Sequence, residues 1–381
     1  MPDPAMPRLQ LRRLFFSVLL VVCSTPCARA LLNLEGSRNQ VFVFGSVSFA
    51  YSSNIFYEAS GRGDTSVDGE IGIDVKRRAG LIAVSSTAKL DYQRFIKYTG
   101  ESAFNPYFSI EFTKITGRLT GSLSVKAYRE SRSDSAVNLR TNSWNIPISL
   151  SLKYPLNDKF YVSSQTGYLR RNYAGGDAAL TNYVDYSEAL DAFYIYSSKL
   201  DLVAGYRLRL SKTTIGTNTY DHWFNVGATG ALFAKINGEL RVGYQIREID
   251  QGDHFNHVNA LAGLNWTVTR KFSLSSQISR DFNTIATGFS VDATSVGLRA
   301  TYLLNRKTDL EAGVGYGRNS FLGNAQGDRR DEFYSWDLAA HYRLSEHWRL
   351  GATYGYLHNT SNVTFANFNR QGLSFDVSAR Y

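Results

Sequence analysis

From Gln40 to Tyr381, apolar side chains recur at every second position in segments of about ten residues, each closed by turn-forming residues. Alternation with a period of two describes a sheet with one apolar face and one polar face. Trp144, Ile146, Ile148, Leu150, Leu152 and Tyr154 make one such row, against Asn145, Pro147, Ser149, Ser151 and Lys153 on the opposite face. Leu200 to Leu210 and Leu240 to Ile246 repeat it. A sheet apolar on one side must hide that side. A soluble sandwich does so by pairing two sheets through Greek-key connections within roughly 100 to 250 residues per domain. Consecutive hairpins over the whole chain offer no such break. A closed barrel in lipid turns the apolar face to hydrocarbon and pairs every backbone N–H and C=O.

The segments begin near Gln40, Val67, Leu81, Pro106, Arg118, Trp144, Lys159, Glu188 and Lys199, and then near Asp221, Gly238, His257, Lys271, Phe289, Thr308, Glu332, His347 and Arg370. This spacing predicts a closed transmembrane antiparallel up-and-down β-barrel of about eighteen strands. Sixteen stays open, because Tyr183 to Tyr196 is the least regular stretch. Short turns such as Pro155-Leu156-Asn157-Asp158 alternate with longer Ser, Gly, Asn and Asp-rich connections: Ser52 to Ser66, Ser131 to Ser143, Asn172 to Asn182, Asn319 to Asp331 and Asn359 to Asn369. That asymmetry fits periplasmic turns and extracellular loops. No connection is long enough to suggest a dedicated plug. Trp144 and Tyr154 are ten residues apart in one outward row, which at a tilt near 40° is roughly 25 Å of height, the span between aromatic girdles.

Rare residues sharpen the organisation. Both cysteines, both methionines and four of the seven prolines fall in residues 1–30. There, Arg8, Arg12 and Arg13 precede the apolar run Leu14 to Val22, and Ala28-Arg29-Ala30 supplies a small-residue cleavage pattern, so 1–30 read as a signal peptide. Residues 31–39 read as a short periplasmic segment and 40–381 as the barrel. Without the leader the formal charge falls from +9 to +6, with 38 Lys and Arg against 32 Asp and Glu. The cysteine-free remainder excludes a disulfide scaffold and thiolate chemistry. Its prolines are only Pro106, Pro147 and Pro155. Pro106 is expected to start a strand, Pro155 to sit in a turn and Pro147 to mark a bulge.

The C-terminal row Leu373, Phe375, Val377, Ala379, Tyr381 resembles the aromatic-ended assembly signal of bacterial outer-membrane barrels, which implies the barrel-assembly machinery as a partner. Val47-Ser48-Phe49-Ala50-Tyr51-Ser52-Ser53-Asn54-Ile55-Phe56 resembles the opening of the β-barrel porins associated with exopolysaccharide or capsule operons. The acidic residue usual before that Asn is absent. The resemblance implies an outer-membrane location and passage of saccharide. It brings no catalytic residues, and we expect no enzyme activity, cofactor or metal.

The polar rows define the lumen. Arg207, Arg209, Arg241 and Arg247 could form a local basic arc, and Glu111, Glu239, Asp337 and Arg343 stand on the same face. Lys76, Lys89, Lys126, Lys153 and Arg299 join them, against Asp74, Asp91, Asp201, Asp221 and Glu311. Neither sign dominates, and a pore selective for polyanions would carry rings of one sign. A neutral or weakly charged solute fits better. The plainer reading is that the charges pair across strands and stiffen the lumen. Tyr107, Tyr161, Phe193, Trp223 and Phe333 interrupt polar rows and could stack on sugar rings; the plainer reading is that they fill space.

Other classes are weaker. Asp253-His254 with His257 is the one grouping suited to an outer-membrane hydrolase, yet it reads better as a solvated loop. Gly313-Val314-Gly315-Tyr316-Gly317 lacks dinucleotide-binding spacing, and no basic stripe suits nucleic acid. A surface adhesin or receptor using the long loops remains the main alternative to an outer-membrane channel for polar solutes, saccharide above all, and to its narrower form, an exopolysaccharide exporter. Oligomeric state is open.

Overall fold

The computed structural model describes residues 39–174, 180–250, 252–323 and 328–381. The expected signal peptide, and residues 31–38 of the segment after it, lie outside the described residues. Eighteen strands run β1 (Asn39–Ser52), β2 (Asp64–Ala79), β3 (Ile82–Phe95), β4 (Ala103–Lys114), β5 (Thr120–Asp134) and β6 (Leu139–Pro155). They continue with β7 (Phe160–Ala174), β8 (Tyr183–Ser197), β9 (Leu200–Thr213), β10 (Thr219–Phe233), β11 (Ile236–Ile249) and β12 (His254–Thr267). The last six are β13 (Phe272–Thr284), β14 (Ser290–Leu303), β15 (Thr308–Leu322), β16 (Arg330–Arg343), β17 (Trp348–Ser361) and β18 (Phe368–Arg380).

Each strand pairs antiparallel with its sequence neighbours, and β1 pairs with β18 from Phe44↔Arg380 to Ser52↔Gly372. Val43 and Tyr381 exchange both backbone hydrogen bonds at 3.0 and 2.9 Å, completing the seam. Closure leaves no terminal edge strand in the ring. The outward rows are apolar and unburied within the chain: Ile71, Val258 and Leu190 are 60%, 58% and 56% exposed. A band of this kind belongs against hydrocarbon. No helix among the described residues is long and apolar enough to cross a membrane; the strands do the crossing.

The alternation locates most strands to within a few residues, and the differences share a cause. Descending strands start earlier than expected: β2 at Asp64 rather than Val67, β6 at Leu139 rather than Trp144, and β8 at Tyr183 rather than Glu188. Above the lipid both faces meet water, so the strands continue where the apolar pattern has stopped. The Ser131 to Ser143 connection shrinks accordingly to residues 135–138, and β8 is regular except for a register shift between Ile195 and Ser197. Eighteen strands stand, not sixteen.

The prolines behave differently from expectation. Pro147 makes no bulge: β5 and β6 keep one register on both sides of it, from Val125↔Ile148 to Tyr128↔Asn145, and only the rungs between are missing. Losing one donor interrupts the ladder without adding a residue. Pro106 lies inside β4, paired with Leu90, at the point where the β4–β5 ladder stops at Tyr107↔Tyr128. Pro155 is the last residue of β6 rather than part of the turn.

Glycines on the inner face make room for opposite side chains. A Cβ on Gly313 would stand 2.4 Å from Asp337 Oδ1, and one on Gly317 would stand 2.0 Å from the Phe333 ring. Large lumen side chains therefore lie flat over a glycine on the next strand, which keeps the wall thin.

Candidate functional site

Register carries all eleven expected lumen residues, namely Tyr107, Glu111, Tyr161, Arg207, Arg209, Trp223, Glu239, Arg241, Arg247, Asp337 and Arg343, to the inner face of the wall. Trp223 pairs with Arg207, Asp221 with Arg209 and with Arg247, and Asp337 with Gly313. Odd positions of β9, β10 and β11 all point inward, opposite the exposed Leu202, Phe224 and Val242.

The four arginines of the proposed arc are neutralised. Arg247, with a fully buried side chain, donates to both oxygens of Asp221 at 2.6 and 2.7 Å. Arg209 donates to Asp221 at 2.7 Å and to Asp281 at 3.2 Å, and Arg207 reaches Asp281 at 2.9 Å. Arg241 holds Asp191 at 2.8 Å and also pairs with Glu239. Gln245 and Asn259 extend the network, with Gln245 donating to Asp281 at 2.8 Å. Sequence reasoning missed Asp191, Asp281 and Gln245 as members. The signal was present, since Asp191 shares parity with Phe193 and Gln245 with Arg247.

This network fills a split in the wall. β12 and β13 pair only from Ala260↔Arg280 to Thr267↔Ser273. Above that, the Phe282 ring stacks 4.1 Å from His257 and lies 5.2 Å from the Arg247 guanidinium. His257 is buried against Gln245 and Asp292, whereas His254 is exposed at the start of β12. The two histidines therefore do not converge on one solvent-facing site.

The aromatics divide. Tyr161 and Phe193 stack at 4.5 Å, both buried, with Lys153 Nζ over Tyr161 at 3.6 Å and the Tyr161 hydroxyl donating to Asp201 at 2.7 Å. Trp223 is buried beneath Arg207, 4.6 Å from its guanidinium. Those rings are covered and fill space, the plainer of the two readings, and do not offer free faces to sugars. Tyr107 remains partly open, beside Tyr128 at 5.8 Å and Lys89 at 5.4 Å. Glu111 and Arg343 are exposed toward the periplasmic end, and Asp337 pairs with Arg299 at 3.0 Å.

Below the network the lumen widens into a cavity of about 1570 Å³. Gly263, Gly297, Gly313 and Gly315 floor it; Asn265, Ser275, Gln277 and Ser335 supply neutral hydrogen-bonding groups. Charge enters at Glu239, Arg299 and Asp337. The β8–β9 and β10–β11 turns border it, so it lies at the periplasmic end. Closed small-molecule sites hold about 300–1,000 Å³; this volume suits a vestibule. Absent side chains leave no chemical signal in a sequence, so glycines and short polar residues do not announce this cavity.

Nearby, ligand atoms of Asp309, Glu311 and His341 fall within 4.8 Å of one another. Arg349 and Arg299 already hold the two carboxylates, each at 3.2 Å.

The extracellular end is crossed by loops, although among the described residues no single connection forms a plug. Arg329, between β15 and β16, donates to the carbonyls of Ala136 at 2.8 Å and Ser135 at 3.3 Å, in the β5–β6 hairpin. Those hairpins stand ten strands apart in one direction and eight in the other, nearly opposite in the ring. Asp331 holds Arg329 at 2.7 Å, and Phe321 lies 4.2 Å under the guanidinium. Asn138 Nδ2 donates to the Tyr57 carbonyl at 2.6 Å, tying in the β1–β2 loop. In that loop the Arg62 hydrogen bond holds Glu58 below the usual carboxylate range. A second tie joins Thr181 to Ala286 through a 2.8 Å backbone bond.

Comparison with known proteins fits this geometry. The family model described as Putative beta-barrel porin 2 matches residues 222–381. No curated protein matches the chain. Among solved structures, OpdK of Pseudomonas aeruginosa, determined with vanillate, is 10% identical with a TM-score of 0.50, covering 90% of this chain and 99% of its own. OccK3 (OpdO) of the same organism is 12% identical with a TM-score of 0.50, covering 90% and 95%. At such identity these are likenesses of fold. The protein is an outer-membrane β-barrel that resembles the β-barrel porins, and its architecture is that of a channel for solutes.

Proposed function

We propose that the channel passes neutral, hydroxyl-rich solutes of the saccharide class, entering through the periplasmic vestibule, with an exported exopolysaccharide as the largest cargo. The observation that carries this reading is the neutralisation of the lumen arginines: Arg207, Arg209, Arg241 and Arg247 each hold a carboxylate, and the vestibule presents glycine, Ser, Asn and Gln. Hydroxyls exchange hydrogen bonds with such groups at little cost, whereas a polyanion would have to displace paired carboxylates. The half-open Tyr107 and Tyr128 rings supply an apolar face for pyranose C–H groups.

Reconstitution in planar bilayers tests the proposal. Stepwise conductance of weak ion selectivity, blocked by neutral oligosaccharides with a strength that rises with chain length, is expected. OpdK was determined with vanillate, an aromatic carboxylate, so vanillate forms the contrasting arm. Strong anion selectivity with block by vanillate alone would overturn the saccharide reading. Silence from an intact barrel would overturn the channel and favour a loop-borne adhesive role. Polymer trapped in the periplasm of cells lacking the protein would be the signature of the export cargo.

A further inference from the structure

Just outside the outer aromatic girdle, lipid-facing rows change from aromatic to basic, and on one side of the barrel these cations have no carboxylate beside them. Tyr92 is followed two residues later in the same outward row by Arg94, and Tyr168 by Arg170. Two residues along a strand is about 7 Å, enough to pass from the girdle to the headgroup layer. Arg129 pairs with the exposed Trp144. Arg170, Val184 and Lys212 lie on one continuous rung across β7, β8 and β9, so the two cations stand about 10 Å apart.

These side chains have no carboxylate partner among the described residues. Arg129 donates only to the Phe104 carbonyl at 3.4 Å, and Arg170 only to Asn172 at 3.4 Å. The outward carboxylate of this arc, Glu188, lies four residues deeper than Val184 and accepts hydrogen bonds from Ser164 and Thr166. The opposite arc is compensated at the same level. There Arg280 holds Asp292 at 2.8 Å, Arg318 faces Glu332 at 4.0 Å, and Glu248 is acidic.

We propose that the β3–β9 face, through Arg94, Arg129, Arg170 and Lys212, binds the phosphorylated headgroup of an outer-leaflet glycolipid. The rows continue directly from lipid-contacting residues, so the anion that reaches them arrives attached to acyl chains. Arginine forks match phosphate oxygens in pairs, and the spacing of Arg170 and Lys212 suits two phosphates on one headgroup. Long basic side chains above an aromatic girdle extend to the headgroup layer without moving the strand.

The test uses the full barrel in detergent micelles doped with diphosphoryl lipid A, reading binding by native mass spectrometry. Dephosphorylated lipid A and inorganic phosphate form the other arms. Diphosphoryl lipid A should stay bound, and the triple variant R129Q/R170Q/K212Q should bind it on the order of a hundredfold more weakly, as loss of three interfacial cations requires. The variant R280Q/R318Q, from the compensated arc, should bind within a few-fold of the parent. Both variants alter outward side chains, and unchanged heat-modifiable mobility checks that the barrel is intact. Equal retention of dephosphorylated lipid A, undiminished binding by the triple variant, or displacement by inorganic phosphate at matched concentration would each overturn the proposal.

Discussion

Asp221 is the residue on which the upper lumen turns. It is buried, and it accepts from two arginines on neighbouring strands, Arg209 at 2.7 Å and Arg247 at 2.6 Å. Removing one partner of a buried pair leaves an uncompensated charge and costs about 3–5 kcal/mol. Asp221→Asn is therefore expected to lower barrel stability by that order in urea or thermal unfolding of the refolded protein. Glu111→Gln, at an exposed lumen position, should stay within about 0.5 kcal/mol. The same Asp221→Asn change strips two guanidinium groups of their shared anion, so the reversal potential should shift toward anions. An unshifted potential would mean that the arginines find other partners and that Asp221 does not set the charge of the lumen.

At the scale of strands, the missing rungs beside Pro147 offer a direct test of the ladder. Register is continuous through Pro147 on the β7 side and resumes unshifted on the β5 side. Restoring an N–H there should complete a rung in a wall where no water substitutes. Pro147→Val is expected to stabilise the barrel by about 1 kcal/mol, seen as a higher unfolding temperature and slower exchange of amides around Ala127. A destabilised variant would show that Pro147 relieves strain in the wall. The contrast between expected bulge and continuous register also shows what the sequence conveys at this scale. Strand order and facing followed from alternation, with the count left at eighteen or sixteen, because a slip of one residue would turn every outward side chain inward. Strand ends above the lipid did not follow, since water on both faces erases the alternation at residues such as Leu139 and Tyr183. The inner face was legible as a row, but not as a set of partners. Arg247 and Asp221 announce their parity, while their meeting depends on register between strands and on the split between β12 and β13. Trp223 likewise reads as either a stacking ring or a filler until Arg207 is seen lying over it.

For the molecule as a whole, the two ends of the lumen differ. The periplasmic end is a wide glycine-floored cavity, and the extracellular end is crossed by hairpins from nearly opposite sides of the ring. The crossing depends on Arg329, whose side chain is buried and donates to Ala136 and Ser135 while Asp331 and Phe321 hold it in place. Loops of this size would move independently without such a tie, because each is anchored only at its own hairpin. One guanidinium hydrogen-bonded to two carbonyls supplies about 1.5–3 kcal/mol per bond, enough to keep the hairpins together most of the time and little enough to let them part. Arg329→Ala is therefore expected to free the β5–β6 and β15–β16 hairpins from each other while leaving the barrel folded. In single-channel recordings it should raise the mean conductance and add rapid fluctuations. In liposome-swelling assays it should raise the size limit for neutral oligosaccharides. The substitution lies outside the membrane wall, so the barrel should stay folded, while the loss of Asp331's buried partner lowers its stability by about 3–5 kcal/mol. If conductance and size limit are unchanged, the narrowest point lies lower, at the Arg209, Asp221 and Asp281 network, and the Asp221→Asn barrel should then carry the altered conductance instead.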